Sequence, residues 1–234
     1  MASKLREYPQ AVNLFSTASE ILGYDLLKTC IDGPFDYLTR TDVSQPAILV
    51  TSLAAVVKLQ LENDRAHKIC RATAGLSLGE YSSLVFSGCL SFEDGCSLFY
   101  ILAVSVVKVR GMAMHEASVQ FRGGMVSAMI SDKSKIEDCI KAALEHCQSL
   151  GISSPVCQCS NYLSSSFRVI GGSIEAIDYI EANASKFGIR KVKKLSVSGA
   201  FHTDMMKTAC EPLANALKYS PFDSTTCIVG SLFL

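Results

Sequence analysis

The chain has 234 residues, 49% of them hydrophobic, enough for one domain with a sizeable buried core or a domain carrying an inserted subdomain. Lys plus Arg and Asp plus Glu number 22 each, so no net field holds nucleic acid or an acidic membrane, and a charged partner must find a local patch. The ten cysteines follow no regular framework and read as reduced; Cys157 and Cys159 read as one face of a core strand, with no His at zinc spacing.

Met1 to Gln10 carries Lys4 and Arg6 without an apolar stretch, so neither a secretory signal nor a transit peptide is legible there. Apolar residues then recur at helical spacing across Tyr8–Leu27, with Gly23 placed to end the run, which predicts one amphipathic helix. Pro46 suits a first-turn position, and the leucines and valines of 47–61 predict a second, largely buried helix behind it. Residues 67–74 predict a short strand that meets a sharp turn at Gly75-Leu76-Ser77-Leu78-Gly79-Glu80. Helices are predicted over 81–88 and 92–117. The longest apolar run, Leu98 to Val107, contains Ser105 and falls short of the roughly 20 residues of a membrane span, so no transmembrane helix is expected.

After Gly123-Gly124 the pattern changes. Strands over 125–130, 156–161, 168–171 and 191–197 alternate with helices over 133–147 and 174–187 in the order βαββαβ, the ferredoxin-like arrangement. Such a unit brings its termini together, so it reads as an insertion into a larger α/β domain. The expected division is a discontinuous large subdomain, 1–122 with 198–234, resembling an α/β-hydrolase, and a small ferredoxin-like subdomain, 123–197. A helix over 205–217 follows the return, and the apolar tail from Cys227 predicts the start of a strand.

Gly75-x-Ser77-x-Gly79 is a nucleophile-elbow pattern, in which small residues two places either side let the backbone fold tightly and lift the serine hydroxyl. The helix after such a turn leaves backbone N–H groups free, and that of Leu78 is placed to stabilise an oxyanion. A serine needs a base. Of four histidines, His67, His115 and His146 read as surface residues, whereas His202 lies in the small-residue turn Ser198-Gly199-Ala200-Phe201-His202, where a loop can carry a base.

These two boxes resemble the GHSxGE and GAFH boxes of the malonyl-CoA:acyl-carrier-protein acyltransferases, and Val109-Arg110-Gly111-Met112 resembles the helix with that family's malonyl-binding arginine. The likeness extends to Leu22-Gly23-Tyr24-Asp25 and Gln45-Pro46-Ala47-Ile48 and is nearest to the mitochondrial members. It implies a malonyl group passed from coenzyme A to acyl carrier protein through Ser77, with His202 as base, Arg110 meeting the substrate carboxylate, and Asn161 lining the cleft. A guanidinium suits that task because it can meet both oxygens of a planar carboxylate with parallel charge-assisted bonds. The resemblance further implies a mitochondrial monomer that needs no cofactor beyond its malonyl-CoA substrate. Against the family pattern the domain is expected to be incomplete at both ends, lacking the glutamine loop before Leu5 and the segment that orients the histidine. Leu76 stands where the bacterial pattern has His.

Two other readings stay open on the residues alone. A serine hydrolase or thioesterase would use the same elbow, but Asp132, Asp138 and Asp178 lack the strand-end loop that a triad acid requires. A catalytically inactive form would only bind carrier protein or coenzyme A. The basic run Arg190-Lys191-Val192-Lys193-Lys194 is a candidate docking patch for an acidic carrier protein or for phosphates, and equally a solvated edge.

Overall fold

A computed structural model describes residues 2–63, 65, 68–88, 97–218 and 227–231. In chain order the elements are helices α1 (Pro9–Leu22), α2 (Leu26–Asp32), α3 (Phe35–Leu38) and α4 (Thr41–Glu62), strand β1 (Ala72–Gly75), and helices α5 (Leu78–Phe86) and α6 (Ser97–Gln120). Next come β2 (Gly123–Met129), α7 (Ile136–Ser149), β3 (Cys157–Tyr162), β4 (Phe167–Ser173), α8 (Ile174–Asn183), β5 (Arg190–Lys194), α9 (Lys207–Lys218) and β6 (Ile228–Ser231). The class is α/β. The chain divides into two compact units, Met1–Met112 with Pro212–Phe233, and Ala113–Glu211.

In the first unit, Pro9 opens α1 and Gly23 closes it at φ 84°, with its N–H donating to the Ser19 carbonyl. The periodic run therefore stops at Leu22. Asp25 then starts α2 by accepting the Lys28 N–H at 2.9 Å, an N-cap signal in the sequence that the run to Leu27 had absorbed. The helix expected over 47–61 begins earlier, at Thr41, so Pro46 lies inside α4 rather than in its first turn. That first turn is where α6 approaches: a Cβ on Gly111 would stand 3.0 Å from Asp42 Cα and 3.1 Å from the Thr41 carbonyl oxygen. Tyr100 and Lys108 of α6 donate to the carbonyls of Leu14 and Ile21, both at 2.7 Å, fixing α6 against α1. Phe15, Leu26, Leu49, Val50, Val85, Val104 and Val107 fill the core between these helices.

Among the described residues α4 is the one helix long and apolar enough to cross a membrane, and half of that apolar stretch is buried in this core. β1 pairs in parallel with β6, Ala72 opposite Ile228 and Gly75 opposite Ser231. α5 packs against β1 and α4, so the turn between β1 and α5 is held by both layers.

The second unit contains the expected βαββαβ order. Its sheet runs β3-β4-β2-β5 with every neighbouring pair antiparallel. α7 and α8 pack together, and Val126, Ile170, Ile177, Ile180, Cys139, Cys147 and Cys157 form the core beneath them. The boundaries of this unit fall at Ala113 and Glu211, wider than the expected 123–197. The cause is a separate cluster in which Ala113, Met114 and Ala117 of α6 pack with Ala200, Met205, Met206 and Ala209.

Candidate active site

Ser77 sits at the β1–α5 turn with φ 54° and ψ −108°, a conformation that costs a non-glycine residue on the order of 1–3 kcal/mol. The turn is held by backbone bonds from Gly79 N–H to the Leu76 carbonyl at 2.9 Å and from Glu80 N–H to the Ser77 carbonyl at 3.2 Å. Neither bond uses the N–H of Leu78, the first helical residue, whose side chain is buried. Gly75 is demanded by crowding, since a Cβ there would lie 1.9 Å from the Gly79 carbonyl carbon. Gly79 is not: a Cβ at that position would meet nothing within 4 Å. The expectation that both flanking glycines are sterically required therefore holds for one of them.

Arg110, on α6, donates from Nη2 to Ser77 Oγ at 3.0 Å and from Nη1 to Gln45 Oε1. Gln45 in turn donates to Thr41 Oγ1 at 2.8 Å, so the first turns of α4 orient the guanidinium through two buried side chains. The Arg110 guanidinium also lies 5.4 Å from the centre of the Tyr81 ring. Arg110 is only 7% exposed, and among the described residues no carboxylate forms an ion pair with it. Burial pushes its pKa below the usual range, while Tyr81 and the Glu80 charge oppose the shift. Arginine stays protonated through such shifts, so the result is a desolvated cation beside a half-buried serine hydroxyl.

His202 and Asn161 belong to the second unit. His202 also has a left-handed backbone, at φ 60°. The loop that bears it is docked by small residues: a Cβ on Gly199 would lie 2.2 Å from Ser118 Oγ, on Gly123 2.9 Å from Ala200 Cβ, and on Gly171 2.9 Å from Thr203 Cγ2. Thr203 Oγ1 donates to the Ala200 carbonyl at 2.6 Å and accepts the Met205 N–H at 3.3 Å. Gln158 of β3 then holds Asp204 from both sides, accepting its backbone N–H at 2.8 Å and donating to its carboxylate at 3.0 Å. Asn161 is buried after a register shift in β3, with Oδ1 accepting from Ser160 Oγ at 3.2 Å. His67 lies outside the described residues. His115 and His146 are half-buried rather than on the surface, and His146 packs on Tyr179 with ring centres 5.0 Å apart.

No protein-family model matches the chain. The human mitochondrial malonyl-CoA-acyl carrier protein transacylase is 44% identical over 93% of the chain, which spans about half of that relative, 54% of its length. The malonyl CoA-acyl carrier protein transacylase of Haemophilus influenzae is 32% identical over 98% of the chain and 68% of its own length. The chain belongs to this transacylase family. A solved structure of a type II PKS acyl-carrier protein in complex with its malonyl-transacylase matches at a TM-score of 0.79 and 29% identity, covering 97% of the chain and 68% of its own.

Within this transacylase fold the structure brings Ser77, the Leu78 amide and Arg110 together in one unit and sets His202 and Asn161 in the other. Residues the motifs did not reveal are Thr41, Gln45, Tyr81 and Gly111, which position the guanidinium. Gln45 and Gly111 were themselves among the quoted motif residues, but with no role assigned to them. Nothing in their spacing links α4 to α6, however, because the contact spans 65 residues of chain. Among the described residues no group of three or more His, Cys, Asp or Glu side chains could hold a metal ion.

Proposed function

We propose that the chain carries the acyl-transfer site of a malonyl-CoA:acyl-carrier-protein transacylase, working in fatty acid biosynthesis in the mitochondrion. In the family's terms the large subdomain would be 1–122 with 198–234 and the ferredoxin-like one 123–197. The observation that carries this reading is Arg110: a buried guanidinium in hydrogen-bond contact with the elbow serine and, among the described residues, in no ion pair with a carboxylate. A buried unpaired cation is costly, and an acyl group ending in a free carboxylate supplies the missing partner.

In this mechanism the malonyl carboxylate takes the Arg110 donors and withdraws Nη2 from Ser77 Oγ, releasing a lone pair for attack. Ser77 Oγ then adds to the thioester carbonyl as His202 accepts its proton. The Leu78 N–H donates to the oxyanion, a contribution that can reach about a hundredfold or more in turnover. Collapse expels coenzyme A, protonated by His202, and leaves malonyl-Ser77. The thiol of the carrier's phosphopantetheine arm reverses these steps, His202 taking its proton and returning one to Ser77 Oγ. Side chains and backbone suffice for this chemistry, with malonyl-CoA as substrate and carrier protein as partner, and the reading assigns a monomer. The exposed basic residues Arg190, Lys191 and Lys193 of β5 are the proposed first contact for the carrier.

The test is incubation with malonyl-CoA and with acetyl-CoA, followed by mass mapping of Ser77. A malonyl ester on Ser77, absent in Ser77→Ala and discharged faster by carrier protein than by water, is the expected result. No adduct on Ser77 with intact folding defeats the proposal.

A further inference from the structure

Two thiols that the acyl-transfer chemistry does not use lie just ahead of β1, the strand that feeds the elbow, and of its neighbour β6. β1 and β6 are parallel neighbours with Ala72 opposite Ile228, and the Ile228 N–H donates to the Arg71 carbonyl at 3.2 Å just before the register begins. Cys70 and Cys227 flank that bond. By this register Cys227 stands opposite Arg71 and Cys70 is its diagonal neighbour; with strands about 4.8 Å apart and a rise of about 3.3 Å per residue, the two Cα atoms lie roughly 6 Å apart, inside the span of a disulfide. The two sulfurs are in hydrogen-bond contact, and neither residue is buried. Cys70 Sγ also donates to the Ala72 carbonyl at 3.3 Å, which ties it to the start of β1. Of the other described cysteines, Cys30, Cys139, Cys147 and Cys157 are buried, Cys210 is exposed on α9, and Cys159 is half-buried in β3 with its Sγ donating to the Asn161 carbonyl at 3.8 Å.

We propose that Cys70 and Cys227 form a peroxide-responsive disulfide that staples β6 to the strand carrying the nucleophile. The Cys70 thiolate attacks one oxygen of hydrogen peroxide, breaking the O–O bond, and becomes a sulfenic acid as hydroxide leaves. The Cys227 thiolate displaces the sulfenic hydroxyl, forming the S–S bond. Two thiols and one peroxide thus give one disulfide and two waters, a two-electron oxidation. Partial burial and the adjacent Cys70 sulfur push the Cys227 thiol up from its ordinary pKa, so closure quickens as pH rises. The staple closes a long loop, from residue 70 to residue 227, and so removes much of the freedom of the unfolded chain.

Purified full chain is treated with hydrogen peroxide, alkylated, and digested without reduction. A Cys70–Cys227 linked peptide should appear ahead of any other cross-link. The melting temperature should rise by roughly 5–10 °C and return on addition of dithiothreitol. Cys70→Ser and Cys227→Ser should each abolish both effects while melting, before oxidation, within a few degrees of the wild type. Recovery of Cys70 and Cys227 as separate alkylated or sulfinic peptides overturns the proposal. So does a linked peptide with no change in melting.

Discussion

The elbow that bears Ser77 and the loop that bears His202 both force a non-glycine residue to positive φ, yet they are held in opposite ways. Crowding at the elbow is internal to six residues, where the missing side chain of Gly75 admits the backbone of Gly79 and Glu80. At the histidine loop it is external. Gly199, Gly123 and Gly171 each open a space filled by a residue distant in sequence, and Gln158 reaches across 46 positions to clamp Asp204. A strained turn can therefore be secured by its own backbone or by the surface it lands on, and the two designs fail differently.

The sharpest way to break the comparison is at Gly75. Gly75→Ala drives a Cβ into backbone that cannot rotate away, so the loss is expected to exceed about 3 kcal/mol and to abolish labelling of Ser77. Gly79→Ala should change stability by no more than about 1 kcal/mol, in the stabilising direction if helix propensity decides it. Urea unfolding of both variants measures the difference, and a Gly79→Ala loss as large as that of Gly75→Ala would end the claim that the elbow is crowded from one side.

Next in size is Gly199→Ala, whose Cβ meets the end of a short side chain rather than backbone. A cost of about 1–3 kcal/mol is expected. Ser118→Gly in the same molecule should return a large part of it, since Ser118 Oγ and Cβ are the atoms struck, at 2.2 and 2.8 Å. No second substitution of that kind should rescue Gly75→Ala. A double-mutant cycle that found simple additivity at 199 and 118 would show that the loop is not secured by this contact.

This contrast also explains what the amino-acid pattern revealed. The elbow was legible because its geometry is local: Gly75, Ser77 and Leu78 are read from adjacent residues, and a strand and helix flank them. The βαββαβ order was equally plain in the changing periodicity. His202 was singled out by elimination and by its small-residue turn, and the family likeness then gave it a role; its supports on Ser118, Gln158 and Gly171 are long-range and left no mark in the spacing. The Thr41–Gln45–Arg110 chain lay beyond any spacing argument, and the early start of α4 concealed it by placing Thr41 and Asp42 outside the predicted helix.

Gln45 tests whether the guanidinium is held ready for an anion. Gln45→Glu supplies Arg110 with a carboxylate that no described residue gives it, so malonylation of Ser77 should fall, by roughly tenfold or more, as the internal carboxylate competes with the substrate's. Gln45→Leu instead strands a buried donor and should cost about 1–3 kcal/mol of stability. Equal malonylation rates in wild type and Gln45→Glu would mean that Arg110 does not receive the acyl carboxylate.

The smallest effect concerns the external clamp on the histidine loop. Lys207 first, then Gln158, holds the Asp204 carboxyl below its ordinary value of 3.8. A folded-state pKa below the unfolded one means the clamp contributes fully above that ordinary value and is lost as pH falls through the lower, folded value. Hydrogen-exchange protection of the Met205 and Met206 amides should therefore exceed that of Asp204→Asn near neutrality. The difference should close as the medium becomes more acidic than about pH 4, the ordinary carboxylate range. The elbow has no carboxylate among its turn bonds, so protection of Gly79 and Glu80 should not follow that titration. Parallel loss at both sites would point to general acid loosening instead of release of one external tie.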